Sequence, residues 1–82
     1  MDNTIYMERM AIGDNVRNLR KRAYLSQMDL AEKLGVSVMT VYRIENGIGN
    51  IKTQNLVRMA EIFEVEIQVI LTKGAVKDPK SV

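Results

Sequence analysis

The chain has 82 residues, 46% apolar and 27% charged, with a formal net charge of +2. These proportions fit one small globular domain with a single core and exclude a disordered or low-complexity chain. Cysteine and histidine are both absent, which removes disulfide staples, thiol and imidazole catalysis and the usual zinc ligands. No enzymatic activity, metal or cofactor is expected, and oligomerisation is the expected supplement to so small a core.

In chain order, residues 1–10 carry Ile5, Tyr6, Met7 and Met10 at no clear period and form an unassigned lead-in. They lack the basic start and apolar run of a secretion signal. No stretch of the chain approaches the roughly 18 apolar residues of a membrane span, so a cytoplasmic location without membrane contact is expected.

Residues 11–23 predict a first helix, because Ile12, Val16, Leu19 and Ala23 recur at helical spacing while Asp14, Arg17, Lys21 and Arg22 face elsewhere. Ser26 is suited to cap the next helix, and Asp29 three positions on completes a capping box. A second helix follows over 27–34, with Leu30, Ala31 and Leu34 on one stripe. Gly35 stops it, Ser37 caps a third helix over 38–46, and Gly47 ends that one. Two short helices joined by so tight a turn form a helix-turn-helix, a unit that points its second helix at the major groove of DNA.

A fourth helix is predicted over 52–63, with Leu56, Met59, Ala60 and Phe63 on one face. From there the period changes. Val65, Ile67, Val69 and Leu71 are apolar at every second position, which predicts a β-strand over 65–72 that pairs with its own copy across a dimer. Residues 73–82, holding Lys73, Lys77, Lys80 and the single proline, read as a flexible basic tail. The expected architecture is therefore mainly α: four helices over 11–63, plus a C-terminal dimerising strand within one domain over 11–72.

On the third helix Val41 and Ile44 point one way, and Val38, Met39, Tyr42, Arg43 and Asn46 the other. Exposed apolar groups suit thymine methyls and arginine suits the guanine edge, so Val38, Met39, Tyr42 and Arg43 are the expected base-reading residues. The bland alternative is that they pack against the fourth helix, the tail or another subunit. Gln27, Ser37, Thr40 and Asn46 at helix ends, Asn50 and Lys52 before the fourth helix, and Arg17 and Lys21 in the basic cluster of the first are the expected phosphate contacts. For the capping residues among them the alternative is capping alone. Arg20 and Glu45 lie at the borders of their apolar faces and are expected to form a structural ion pair. Gly47-Ile48-Gly49 lacks the third glycine and preceding strand of a dinucleotide site.

Leu25-Ser26-Gln27, Leu30-Ala31, Leu34-Gly35-Val36-Ser37, Val41 and Ile44-Glu45-Asn46-Gly47 together closely resemble the xenobiotic-response-element, Cro/CI-type helix-turn-helix family over residues 12–63. The resemblance implies a compact repressor-like domain that binds double-stranded operator DNA as a homodimer. By the same match Arg20 and Glu45 fall on the family's interhelical ion pair, Val38, Met39, Tyr42 and Arg43 on its base-reading positions, and Gln27 and Asn46 on its phosphate-gripping ones. Two departures stand out: Ile51 replaces the proline often found before the fourth helix, and a strand-like segment replaces the usual short fifth helix. That C-terminal pattern is similar to HipB-type antitoxins. It implies repression of the chain's own operon and a toxin partner, for which HipA-type kinases are the precedent. A fifth helix over the same residues stays open, as does the competing function of a protein-interaction module with little DNA binding of its own.

Overall fold

The computed structural model describes residues 3–80; residues 1–2 of the expected lead-in and 81–82 of the expected tail lie outside the described residues. Five helices follow one another: α1 (Asn3–Arg22), α2 (Gln27–Leu34), α3 (Val38–Glu45), α4 (Thr53–Phe63) and α5 (Ile67–Leu71). Among the described residues no helix is long and apolar enough to cross a membrane.

The local chemistry explains the boundaries. Ser26 Oγ accepts from the Asp29 N–H at 3.0 Å and the Asp29 carboxylate accepts from the Ser26 N–H at 2.9 Å, a complete capping box at the start of α2. Gly35 ends α2 in the left-handed region (φ 74°), where a Cβ would be strained. Ser37 Oγ accepts from the Thr40 N–H at 3.2 Å and starts α3. Two helices end instead on non-glycine left-handed residues, Tyr24 (φ 57°) after α1 and Glu64 (φ 55°) after α4, at a cost of about 1 kcal/mol each.

The core gathers one stripe from every helix: Val16 and Leu19, Leu30, Ala31 and Leu34, Val41 and Ile44, Met59 and Ala60, and Ile70. Leu30, Met59 and Ile70 are wholly enclosed, and each such side chain contributes about 1.5–3 kcal/mol by leaving water. Leu56 and Phe63 border this core half-buried. Where α1 crosses the end of α3, Gly13 is required: a Cβ there would stand 2.5 Å from the Ile44 carbonyl oxygen and 2.7 Å from that of Glu45. Those contacts are with backbone, which has little room to yield.

Three features differ from the sequence expectation. First, α1 begins at Asn3, eight positions before the helix predicted from residue 11, so residues 3–10 are helical. Second, the strand expected over 65–72 is not formed, and no β-strand occurs among the described residues; the chain is mainly α with five helices. A lone strand would leave its backbone groups unpaired, whereas one helical turn satisfies some of them internally, leaves its last carbonyls to a side-chain cap, and places Ile67 and Ile70, three positions apart, on one face against the core. Asn15 of α1 adds the deciding contact by donating from Nδ2 to the carbonyls of Val69 (3.1 Å), Ile70 (2.9 Å) and Thr72 (2.7 Å), closing the C-terminus of α5. Third, the expected tail is held at its start. Val76 is buried in the core, its N–H donates to Asn15 Oδ1 at 3.2 Å, and its carbonyl accepts from Asn18 Nδ2 at 3.0 Å.

Candidate nucleic-acid interface

Helix α3 is seated by its inner face, where Val41, Ile44 and Glu45 are buried. Beneath its last turn Arg20 grips Glu45 with two parallel hydrogen bonds, Nε to Oε2 at 2.6 Å and the terminal guanidinium nitrogen to Oε1 at 2.9 Å. Arg20 also donates to the Leu25 carbonyl at 2.9 Å, and Gln27 Nε2 reaches Glu45 Oε1 at 3.1 Å. The fully buried carboxylate of Glu45 thus ties α1, the α1–α2 turn and α2 to α3. Bidentate geometry of this kind fixes orientation more than it adds stability.

The outer face of α3 carries Val38, Met39 and Tyr42 at 43%, 49% and 47% exposure, with Arg43 also exposed. None of these four packs into the core. Side chains of this kind on the surface of a small domain suit contact with another molecule, because solvent alone would favour charged helix formers there.

The residues expected at phosphates fall into two groups. Several have their polar groups engaged within the fold. Gln27 donates to Glu45, Ser37 Oγ and Thr40 Oγ1 lie 3.1 Å apart within the α3 cap, and Asn46 Nδ2 closes the end of α3 on the Tyr42 carbonyl at 2.8 Å. Asn50 Oδ1 accepts from Arg9 at 3.0 Å. Arg17 donates to the Glu45 carbonyl and to Asp14 at 3.1 Å, and its Nε lies 3.7 Å from Glu45 Oε1. The ammonium of Lys21 lies 3.8 Å from Asp78, whose carboxyl is held below the usual range by the Lys80 backbone N–H, with Lys21 among the cations assisting. Lys52 stands apart: it occupies the N-cap position of α4 without a side-chain cap bond, and its exposed ammonium borders a shallow groove with Thr40, Arg43 and Asn50.

Of the four residues assigned to dimerisation, Val65, Ile67 and Val69 are half-buried against the core and Leu71 is exposed. Their backbone at 67–71 is helical, so pairing of strands across a dimer has no strand to use. Val57, Val65 and Ile67 instead share a shallow cleft between α4 and α5, rimmed by Glu61, Glu64 and Glu66.

Sequence reasoning missed Asn15, whose polar side chain interrupts the apolar stripe Ile12, Val16, Leu19 and in that way signals a buried capping role. It also missed Arg9, which lies in the segment that showed no period, and Arg58, which donates to the Lys33 carbonyl near the end of α2 at 3.0 Å.

Residues 16–70 match the Helix-turn-helix family model HTH_3. The transcriptional repressor RstR of the cryptic phage CTXphi in Vibrio cholerae is 29% identical over 66 residues, covering 80% of this chain and 59% of that protein. The antitoxin PezA of Streptococcus pneumoniae is 29% identical over 68 residues, covering 83% and 43%. The N-terminal DNA binding domain of SinR from Bacillus subtilis superposes with a TM-score of 0.72 at 27% identity, covering 79% of this chain and 96% of that one. SinR, the master regulator for biofilm formation, solved in complex with DNA, superposes at 0.68 with 31% identity, covering 74% and 98%. The chain spans 16% to 59% of the length of the curated relatives it matches.

Proposed function

The chain belongs to the HTH_3 helix-turn-helix family, and from that premise we propose that it is a cytoplasmic, sequence-specific transcriptional repressor acting as a homodimer on a palindromic operator. The observation that carries this reading is the outer face of α3. Three large apolar side chains and Arg43 are held in the open on a helix whose other side is locked by Glu45. In the major groove Val38, Met39 and Tyr42 meet thymine methyls and base edges while Arg43 reads guanine O6 and N7. The exposed Lys52 at the start of α4 supplies salt-dependent phosphate affinity. RstR, a repressor by name, and SinR, crystallised on DNA, support the same reading.

A homodimer sets the two α3 helices about 34 Å apart, one turn of the double helix. The cleft between α4 and α5, with Val57, Val65 and Ile67, is the surface offered for that contact, and Leu71 is exposed on α5. Lysine at both Val57 and Leu71 converts dimer to monomer in light scattering if this holds; an unchanged dimer puts the interface elsewhere.

The decisive experiment is selection of binding sites from random duplexes, followed by gel-shift competition against unselected DNA at rising salt. Arg43→Ala is expected to weaken the selected site by about 1–3 kcal/mol while leaving random DNA little changed. Equal loss on both duplexes rejects base reading by Arg43.

The match to PezA favours a second reading, in which the same chain is an antitoxin that also holds a toxin protein. Co-expression with the product of the adjacent gene, followed by purification of a stable complex, discriminates it from a repressor acting alone.

A further inference from the structure

The α1–α2 turn carries an unexplained side chain. Tyr24 is 95% exposed and touches nothing in the core, yet its backbone lies in the left-handed region (φ 57°), where glycine would meet no steric resistance. Glu64 shares that backbone conformation, so strain alone distinguishes nothing; full exposure of an aromatic ring does. Beside it, Arg22 is exposed and has no ion-pair partner among the described residues, whereas Arg17, Arg20 and Lys21 all have one. Met28, on the first turn of α2, is also exposed. Arg22, Tyr24 and Met28 are thus three exposed side chains within seven positions around the start of α2, carrying a guanidinium, an aromatic hydroxyl and a thioether. In a helix-turn-helix the first helix of the pair crosses the DNA backbone while the second lies in the groove.

We infer that Tyr24 and Arg22 grip the sugar–phosphate backbone of DNA at the edge of the half-site read by α3, the tyrosine hydroxyl donating to a phosphate oxygen and its ring lying on deoxyribose. This rests on the DNA-binding reading above. Positive charge and hydroxyl donors match an anionic, sugar-lined strand, and one protruding ring offers too little area to anchor a protein interface.

The test uses the full chain, the duplex obtained by site selection, and a random duplex of equal length, with affinities from fluorescence anisotropy. Tyr24→Gly is expected to keep or raise the thermal midpoint, because the backbone strain is relieved. The same variant is expected to lose about tenfold in affinity for both duplexes alike, since a phosphate contact carries no sequence information. Tyr24→Phe retains the ring and is expected to lose most of that factor, and Arg22→Ala is expected to lower the salt slope by about one. Phosphate ethylation interference is expected to mark one backbone position in the wild type that the Gly variant no longer marks. Wild-type affinity in Tyr24→Gly overturns the inference. Failure of the wild type to bind any duplex removes the DNA-binding reading and this inference with it.

Discussion

Asn15 in α1 accepts a hydrogen bond at Oδ1 from the backbone N–H of Val76 at 3.2 Å, joining positions 61 apart from a side chain that is 1% exposed. The same carboxamide spreads its two N–H bonds over the carbonyls of Val69, Ile70 and Thr72. Asn15→Leu keeps the branched shape and removes all four bonds, stranding the Val69 and Ile70 carbonyls and the Val76 N–H, while the Thr72 carbonyl keeps the Ala75 N–H. A loss of about 3 kcal/mol in urea unfolding is expected, with faster amide exchange in α5 before any change in α2 and α3. Uniform acceleration across the chain would contradict this.

The Arg20–Glu45 pair should behave asymmetrically. Glu45→Leu alone leaves the Arg20 guanidinium largely enclosed without its carboxylate, and a loss of about 3–5 kcal/mol is expected, enough to unfold much of the population. Arg20→Met with Glu45→Leu removes both charges together and should lie within about 2 kcal/mol of the parent. A double-mutant cycle by urea denaturation measures the difference, and simple additivity would refute the coupling.

Gly13→Ala tests the close crossing of α1 over the end of α3. Helix propensity alone favours alanine by about 1 kcal/mol. The Cβ would meet the Ile44 and Glu45 carbonyls at 2.5 and 2.7 Å, and the expected net result is a loss of about 1–3 kcal/mol. Backbone NMR shifts should change along α3 as well as around residue 13.

Acid should loosen the start of α2. The Ser26 backbone N–H, then the Ser26 hydroxyl, hold the Asp29 carboxyl below its ordinary value of 3.8. A carboxyl depressed in the folded state binds fewer protons there than in the unfolded chain. Its contribution is therefore complete above that ordinary value and is lost as pH falls through the lower, folded one. In urea titrations across this acidic window Asp29→Asn is expected to show a flatter pH dependence than the parent, and parallel curves would remove Asp29 as a contributor.

The helix-turn-helix was legible because its signals are local. Ser26 and Asp29 sit at the capping-box spacing, Gly35 at the left-handed stop, and Leu30, Ala31, Leu34, Val41 and Ile44 on two short stripes that are all buried. The segment after Phe63 was not, because its signal is ambiguous at five residues. Val65, Ile67, Val69 and Leu71 alternate as a strand does, while Ile67 and Ile70 also satisfy a helical step. The choice is made by Asn15, more than fifty residues away, and by the enclosed site awaiting Ile70. The burial of Val76 was hidden for the same reason: its partners Asn15 and Asn18 lie in α1, and nothing adjacent in sequence announces them.

The seating of α3 on Gly13 through main-chain atoms has an evolutionary reach. A crossing set by backbone against backbone does not depend on which side chains the helix shows to the outside. Residues at 38, 39, 42 and 43 are therefore open to exchange without tilting the axis that carries them. A lineage built on this scaffold can vary those outward positions freely, retaining one rigid frame while the surface it presents diversifies.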